Sequence, residues 1–443
     1  MPPREWSQRR PDRYLAAIIL LSVLLRIAVA FYLGDVVDAP PLLTDQRSYH
    51  ALGARLIAGH GFSFDRGWYP FTPPETPTAH WSFLYSLFVA AVYGLFGIHP
   101  LAVRLVQAVL GGILLPCMVY RLTRRVFQPA VLSSYPLLPL TAALLVAVYA
   151  YFVLYAATLM TETFFIVALL WSLDQTLVFS QHSSWPQGGA LGLALGVSTL
   201  IRQSILPWTI VAFAWLLWVA YHRGHLRQAI GGLLSSALII ALMILPFTIR
   251  NYRVYGESLL LNSNAGYAMY SAQHPMHGVD FQEFAAAPVP DELSGLNEAQ
   301  LDRALMRRGI EFVLADPGRY VLLSLSRARA YFEFWPTPQT TLLHNLGRVG
   351  SFGLFLPLML YGLFLAFRHA KQTPWIPTQA RFSTTPLALI LLFASFYSLL
   401  HILTWAMPRY RLPLDAVTLP FAALALVSLA ARLVFRRRVA TTQ

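Results

Sequence analysis

Two carboxylates stand where long apolar stretches of this chain meet polar sequence. Asp45 opens the first polar stretch, and Glu162 stands beside Thr161 at the start of a later apolar run. A carboxylate at the outer mouth of a membrane helix bundle can act as a general base toward an attacking hydroxyl group. The residues alone also allow simpler roles, because Asp45 could cap a helix that starts at Arg47 and Glu162 could be a capping acid.

If the two carboxylates face each other, they could share a proton or bind a divalent cation. No clustered set of ligands is visible, so no metal site is predicted.

Four arginines interrupt or border apolar sequence and are candidates for holding a phosphate group: Arg202, Arg250, Arg409 and Arg411. Arg202 lies at the tip of an apolar hairpin, where an unpaired guanidinium would be costly. Arg409 and Arg411 flank Tyr410 in the turn before the last apolar run. The planar guanidinium matches phosphate oxygens, whether these belong to a substrate or to a lipid headgroup. For Arg202, snorkelling of the side chain toward lipid headgroups is the alternative.

Further polar and aromatic residues are candidates for contacts with a bound substrate: His80, Tyr49, Tyr410 and Asn264. His80 follows Pro77-Thr78 at the start of an apolar run and could hydrogen-bond an oxygen atom of that substrate. A structural role for this histidine is the alternative.

The composition indicates an integral membrane protein. Of 443 residues, 56% are hydrophobic and only 12% are charged, against roughly 25% charged in soluble proteins. The net charge of +13 is nearly all arginine, and Lys371 is the only lysine. Nucleic-acid binding is not expected, because the basic residues stand at the ends of apolar runs. Cys117 is the only cysteine, so no disulfide framework exists.

The elements that position these residues are predicted to be ten membrane-spanning helices. Ten apolar runs are long enough to cross a hydrocarbon core of roughly 30 Å, at 14–33, 101–120, 134–153, 163–180, 188–204, 205–221, 228–249, 350–367, 385–405 and 413–434. No cleavage site follows the first run, so we expect it to be a retained span. Another run, 81–97, is ambiguous.

The positive-inside rule resolves this ambiguity. Basic clusters occur at Arg4/Arg9/Arg10/Arg13, Arg121/Arg124/Arg125, Arg223/Arg227, Arg368/Lys371/Arg381 and Arg436/Arg437/Arg438. All of them are cytoplasmic only if 81–97 does not cross fully but lies in the outer interface or re-enters the membrane, and we predict an extracytoplasmic juxtamembrane helix. Both termini are then cytoplasmic, and 34–99 and 250–349 lie outside.

The pattern predicts an all-α polytopic fold. Residues 1–349 would form a catalytic membrane module that includes both outer regions, and 350–443 would add C-terminal spans. Within the second outer region, the sequence from Asn297 to Leu314 predicts one amphipathic helix that ends at Asp316-Pro317-Gly318.

The motifs, taken in order, resemble the family-39-like branch of the GT-C glycosyltransferase superfamily. That branch includes protein O-mannosyltransferases and the bacterial aminoarabinose transferases that act on lipid A. The similar segments are Asp45…Tyr49, 59–62, 77–81, Arg104, 121–127, 160–162, Arg202, 250–256, 264–266 and 409–413. The chain has Asp45-Gln46 where protein O-mannosyltransferases carry paired acids, and it lacks their large inserted domain. Both differences count against a protein-mannosylating role.

The resemblance implies a GT-C bundle in the cell membrane with an extracytoplasmic active site. It implies transfer of a monosaccharide from a polyprenyl-phosphate donor to a hydroxyl group of a lipid, glycan or protein. Asp45 would be the general base, and fixed arginines would stabilise the departing phosphate. A lipid-linked sugar flippase is one alternative, although such transporters carry inverted repeats and mid-membrane polar residues. A non-catalytic membrane assembly subunit is another.

Overall fold

The computed structural model describes residues 11–37, 45–68, 70, 72–282, 285–338, 342–372 and 382–440. Within these ranges, nearly all regular structure is helical, and two isolated β-bridges pair Ser63 with Pro77 and Trp68 with Thr72. Four residues of the predicted basic clusters, Arg4, Arg9, Arg10 and Arg381, lie outside the described residues.

The helices run in chain order as α1 (Pro11–Leu33), α2 (Asp45–Ile57), α3 (Phe83–Phe96), α4 (Pro100–Val126), α5 (Pro129–Ser134), α6 (Leu138–Val148), α7 (Ala150–Ala156), α8 (Glu162–Gln181) and α9 (Trp185–Ile201). They continue as α10 (Leu206–His222), α11 (Leu226–Tyr255), α12 (Ala265–Gln273), α13 (Glu298–Ala315), α14 (Pro317–Tyr331), α15 (Leu342–Arg348), α16 (Leu354–Gln372), α17 (Pro386–Leu403) and α18 (Leu412–Ala440).

The prediction of a multi-pass membrane bundle is confirmed. Among the described residues, eight helices are long and apolar enough to cross a membrane, or nine if the bent pair α6–α7 counts as one span. The remaining predicted span corresponds to α9, which has 17 residues. Helix α3 has 14 residues, so it is about 21 Å long and too short to cross the hydrocarbon core. Its length agrees with the prediction of a juxtamembrane helix.

The break between α6 and α7 bends the predicted third span by 57°. A break frees backbone carbonyl groups, which must find donors in a membrane interior. Arg26 of α1 is fully buried and supplies them, because its guanidinium donates to the carbonyl oxygens of Ala147 at 3.0 Å and Val146 at 3.2 Å. This arginine in the first span therefore stabilises the bend.

Glycines allow close approach of α9 and α11, an extensive helix contact in the bundle. A Cβ atom at Gly188 would stand 1.9 Å from the carbonyl oxygen of Gly232, and one at Gly192 would stand 2.6 Å from that of Ser236. Small residues at such positions let helix backbones touch, as is common in membrane proteins. The hairpin of α8 and α9, which ends at Arg202, is held in place through this contact.

The predicted amphipathic helix is confirmed as α13. Asn297 and Gln300 form a reciprocal capping box at its start. The chain ends α13 at Ala315 and begins α14 at once with Pro317, because Asp316 accepts a hydrogen bond from the backbone of Arg319 and caps the second helix. The proposed domain boundary near residue 350 stays a prediction, while α18 packs against α16 and α6 in one continuous core.

The bundle has two chemically different ends. Helix α2 and the starts of α4 and α8 lie at one end, which we call the α2 end. Toward the other end, Asp174 of α8 accepts from Arg125 and from Arg121 at 2.8 Å. Asp174 lies twelve residues after Glu162, or about 18 Å along the helix. The candidate site residues described next are at the α2 end.

Candidate active site

Four charged residues from distant parts of the chain meet at the α2 end: Asp45, Glu162, Arg202 and Arg409. Asp45 Oδ2 accepts a hydrogen bond from Arg409 Nη1 at 2.8 Å. Glu162 Oε1 accepts from Arg202 Nη2 and lies 4.0 Å from Arg409 Nε. We call these residues the carboxylate–arginine cluster. It brings together both predicted carboxylates and two of the four predicted arginines.

Burial within the cluster is graded. The Glu162 side chain is 1% exposed and that of Arg202 16%, whereas Arg409 is 14% and Asp45 24% exposed. Two positive charges balance two negative ones, as buried ions require. Asp45 is thus the carboxylate most accessible to a molecule that arrives from solution, and Glu162 is the inner one.

Asp45 is the first residue of α2, and the residue after it anchors that helix. The Gln46 side-chain oxygen accepts from Arg104 Nη2 at 3.1 Å and from the backbone of Leu159 at 3.2 Å. Arg104 is buried, and its Nε donates to the carbonyl oxygen of Ala157 at 3.1 Å. The start of α2 is therefore tied to α4 and to the turn before α8, which carries Glu162.

Arg202 follows α9, and its guanidinium is held by hydrogen bonds and lies near two aromatic rings. Its Nε donates to Thr161 at 2.8 Å, and its guanidinium carbon lies 5.4 Å from the ring centre of Phe165 and 5.5 Å from that of Tyr410. Tyr410 also lies 5.2 Å from the guanidinium carbon of Arg409. The predicted contact residue Tyr410 is thus between the two arginines of the cluster.

Tyr49 is buried and His80 is half-buried beside the cluster. The ring of Tyr49 meets those of Trp81 and Tyr85 edge-on, at 5.6 and 4.7 Å between centres. Burial raises the pKa of Tyr49, and the charges of Asp45 and Glu162 raise it further. Burial lowers the pKa of His80 to about 4, although Asp45 opposes this shift. His80 is therefore neutral at neutral pH and is not a counter-ion for phosphate.

Asn264 holds the loop that carries His80. Its side-chain oxygen accepts from Gln203 at 2.7 Å, and its amide donates to the carbonyl oxygen of His80 at 3.3 Å. Asn262 donates to the carbonyl oxygens of Ala79 and Trp81 at 3.0 and 2.6 Å. Through these hydrogen bonds, the segment around His80 is connected to Gln203, the residue after Arg202.

Glu298, at the start of α13, completes this support and was not expected from sequence. Its Oε1 accepts from Thr78 Oγ1 at 3.2 Å, from the Ala79 backbone at 2.8 Å and from Ser263 Oγ. Burial raises its pKa. In sequence, an acid beside Asn297 is typical of any exposed helix start, so no local pattern indicates that it is buried.

Two predicted phosphate ligands lie elsewhere. Arg411 is fully buried and pairs with Asp415 at 3.1 Å, while its Nη1 donates to the carbonyl oxygen of Tyr331 at 2.8 Å. Arg250 lies 5.7 Å from the ring centre of Phe62 and 5.5 Å from that of Phe83. The structure therefore does not bring these two arginines into the carboxylate–arginine cluster.

An arginine contacts one oxygen of each carboxylate in the cluster, Asp45 Oδ2 and Glu162 Oε1. Within the part of the chain that the structure describes, no group of three or more His, Cys, Asp or Glu side chains could hold a metal ion. Asp45 and Glu162 have Arg409 between them instead of facing each other across open space.

Comparisons with known proteins agree with this architecture. The family model for dolichyl-phosphate-mannose-protein mannosyltransferases matches residues 80–249, a segment that contains Glu162 and Arg202. No curated protein gives a significant match.

Structures of an archaeal oligosaccharyltransferase share the fold along almost the entire chain. The apo oligosaccharyltransferase of Archaeoglobus fulgidus has a TM-score of 0.61 and 16% identity, and the match covers 99% of this chain and 52% of that one. The oligosaccharyltransferase AglB of Archaeoglobus fulgidus, in complex with an inhibitory peptide and a dolichol-phosphate, has a TM-score of 0.58 and 15% identity, with 98% and 52% coverage. ArnT from Cupriavidus metallidurans bound to undecaprenyl phosphate has a TM-score of 0.45 and 13% identity, with 94% and 60% coverage.

The chain spans about half the length of the archaeal oligosaccharyltransferase structures that it matches. It is therefore similar to the mannosyltransferase family over residues 80–249 and shares its fold with the archaeal oligosaccharyltransferase.

Proposed function

We propose that this protein is a glycosyltransferase of the cell membrane. It moves a monosaccharide from a polyprenyl-phosphate donor to a hydroxyl group of a lipid, glycan or protein acceptor. The reaction takes place at the α2 end, which we assign to the extracytoplasmic face, with both termini in the cytoplasm. The carboxylate–arginine cluster is the observation that carries the proposal, because it joins a proton acceptor to fixed cations.

Asp45 is the proposed general base. An acceptor hydroxyl must lose its proton as its oxygen attacks the anomeric carbon, and a positioned carboxylate can take that proton. Asp45 is the more exposed carboxylate of the cluster, at 24% against 1% for Glu162. Glu162, the other proposed catalytic residue, fixes Arg202 and balances its charge.

Arg202 and Arg409 are the proposed phosphate ligands. As the bond from sugar to phosphate breaks, negative charge grows on the phosphate oxygens, and fixed guanidinium groups stabilise it. Both arginines are held by carboxylates and by the ring of Tyr410, so they are oriented before substrate arrives. The proposal leaves out Arg250 and Arg411 as direct ligands, because their contacts are made elsewhere.

Tyr49, His80 and Tyr410 are proposed to line the sugar or the acceptor. Asn264 contributes by holding the His80 loop, since its amide groups are already hydrogen-bonded. The identity of AglB as a dolichol-phosphate-binding transferase of the same fold supports a polyprenyl-phosphate donor here.

The decisive test is product analysis. Membranes with and without the protein are supplied with radiolabelled undecaprenyl-phosphate monosaccharides, and transfer to lipid, glycan and protein fractions is measured. The proposal expects a labelled product that depends on the wild-type protein and is nearly lost in Asp45→Asn. If label only crosses the membrane on its carrier, without a new product, the protein is a transporter and the proposal fails.

A further inference from the structure

Helix α17 brings two polar side chains, Tyr397 and His401, against the carboxylate–arginine cluster. They are four residues apart and lie on one face of the helix. The His401 ring stacks on Tyr410 at 4.9 Å and meets Tyr397 at 4.7 Å between ring centres. Tyr397 is also close enough to interact electrostatically with Arg202 and Glu162.

Several buried polar atoms in this neighbourhood have no hydrogen-bond partner among the described residues, and those that can accept a hydrogen bond include the Tyr397 hydroxyl, His401 Nε2 and Glu162 Oε2. Arg409 Nε is an unpaired donor beside them. Tyr397 is fully buried, Glu162 is 1% exposed and His401 is 7% exposed. Buried polar groups in native proteins are almost always paired, so atoms of this kind beside a binding site indicate a ligand that pairs them. We call the three residues the acceptor cluster.

The chemistry of these atoms selects the kind of ligand. His401 Nδ1 lies 3.3 Å from the carbonyl oxygen of Trp405, and a carbonyl only accepts, so in this contact Nδ1 carries the proton and Nε2 is an acceptor. Glu162 Oε2 is a carboxylate oxygen and also accepts, while the Tyr397 hydroxyl can accept or donate. A ligand here must supply O–H or N–H donors, which an ionised phosphate lacks.

We propose that the acceptor cluster binds the hydroxyl or amino groups of the donor sugar. This inference rests on the proposed function and divides the site in two. Arg202 and Arg409 hold the phosphate, whereas Tyr397, His401 and the free oxygen of Glu162 hold the sugar ring between α8 and α17. The acceptor cluster is then the part of the site that recognises the sugar rather than its lipid carrier.

Tyr397→Phe tests this division, because the substitution removes one hydroxyl group and leaves the ring. The melting temperature of the purified protein is measured with undecaprenyl phosphate alone and with a panel of its hexose, pentose and N-acetylhexosamine derivatives. In the wild type, a sugar of the correct type should bind more tightly than the bare lipid phosphate. Tyr397→Phe should weaken binding of that sugar derivative roughly tenfold, as for one ordinary hydrogen bond, and leave binding of undecaprenyl phosphate unchanged.

Tyr149→Phe is the matched control. The hydroxyl of Tyr149 is buried but donates to Asp415 at 2.7 Å, so its loss should lower the melting temperature of the unliganded protein and leave sugar recognition unchanged. Tyr397→Phe should instead have an unchanged or higher melting temperature without ligand, because it removes a buried unpaired group.

The outcomes separate the inference from the proposed function. If the wild type binds neither undecaprenyl phosphate nor any derivative, the proposed function fails. If Tyr397→Phe binds the correct sugar derivative as tightly as the wild type does, the acceptor cluster is overturned while the proposed function stands. A selective loss of sugar binding supports the inference.

Discussion

Arg409 Nη1 donates to Asp45 Oδ2 at 2.8 Å, across 364 positions of sequence. The contact joins the start of α2 to the turn before α18, and Arg409 also lies 4.0 Å from Glu162. The Arg409 guanidinium therefore lies close to both carboxylates of the cluster. In the proposed reaction, a donor phosphate competes with Asp45 for Arg409. Binding of the donor then frees the carboxylate that must accept the proton.

Substitution of Arg202 should lower kcat/KM for the donor. Arg202→Lys keeps a positive charge beside Glu162 but loses the planar fork that matches phosphate oxygens. We expect kcat/KM for the polyprenyl-phosphate sugar to fall roughly 10- to 100-fold, since a hydrogen bond to a charged group contributes about 1.5–3 kcal/mol. Steady-state kinetics on purified variants is the measurement.

Arg303→Ala is the control for charge loss, because Arg303 is 55% exposed and pairs with Glu257 in the region of α13. It should retain near-normal kinetics. Unchanged kinetics in Arg202→Lys and Arg202→Ala alike would remove Arg202 from the phosphate site.

Glu298 should hold the loop around His80 in its folded conformation. Glu298→Ala removes the acceptor of three hydrogen bonds and leaves the buried backbone N–H of Ala79 unpaired. We expect a melting temperature lower by several degrees and slower transfer, whereas Glu298→Gln should recover part of both through its side-chain oxygen. Glu292→Ala, at an acid that is 63% exposed, should change neither property. An equally stable and active Glu298→Ala protein would contradict the assigned role.

Asp302 should make stability depend on pH. Burial raises its pKa from 3.8 to about 6, so the folded protein binds its proton more tightly than the unfolded chain does. Stability should therefore fall as pH rises from about 4 to about 6, by at most roughly 3 kcal/mol. Asp302→Asn keeps an oxygen that can accept from Gly266, as Asp302 does at 2.7 Å, but lacks the charge.

The comparison is thermal unfolding of the two proteins across pH 4 to pH 8. Asp302→Asn should be the more stable protein at pH 7.5, and the difference should vanish near pH 4. A difference that grows as pH falls would have the opposite sign and would contradict the burial argument.

The orientation of the bundle can be tested with single cysteines. In a Cys117→Ser background, Asp65→Cys should react with an impermeant reagent added outside intact cells, and Arg121→Cys should react only after permeabilisation. Both expectations follow from the positive-inside rule, which assigns the basic clusters to the cytoplasm. Labelling of position 121 from outside would reverse the topology and remove the site from the extracytoplasmic face.

Hydrophobic run length predicts most of this fold, because the membrane requires spans of nearly fixed length. The positive-inside rule predicts the juxtamembrane helix α3, and amphipathic sequence with a stop at Asp316-Pro317-Gly318 predicts α13. None of these patterns predicts the bend between α6 and α7, which depends on the carbonyl contacts of Arg26 with a helix more than a hundred residues away. Such a contact leaves no local pattern in sequence.

From sequence, the site could be predicted only as a set of charged residues that lie at the ends of spans. Asp45, Glu162, Arg202 and Arg409 are all at span ends, and the structure brings them together. Arg411 has the same sequence signature as Arg409 but faces Asp415 inside the core, because a shift of two positions in a helical turn reverses the direction of a side chain. Tyr397 and His401 resemble ordinary residues of an apolar span, and only tertiary packing brings them to the site.

The role of Asp45 is the central claim, and single-turnover transfer by Asp45→Asn tests it most directly. Asparagine has nearly the size of aspartate and can still accept from Arg409, but it is not a base. We expect a folded protein that binds donor and transfers sugar roughly 10²–10⁴-fold more slowly. Asp35→Asn is the control, since Asp35 is 44% exposed and accepts from His99 at 2.8 Å outside the cluster, and its rate should be near normal. If Asp45→Asn keeps more than about a tenth of the wild-type rate, Asp45 is not the general base.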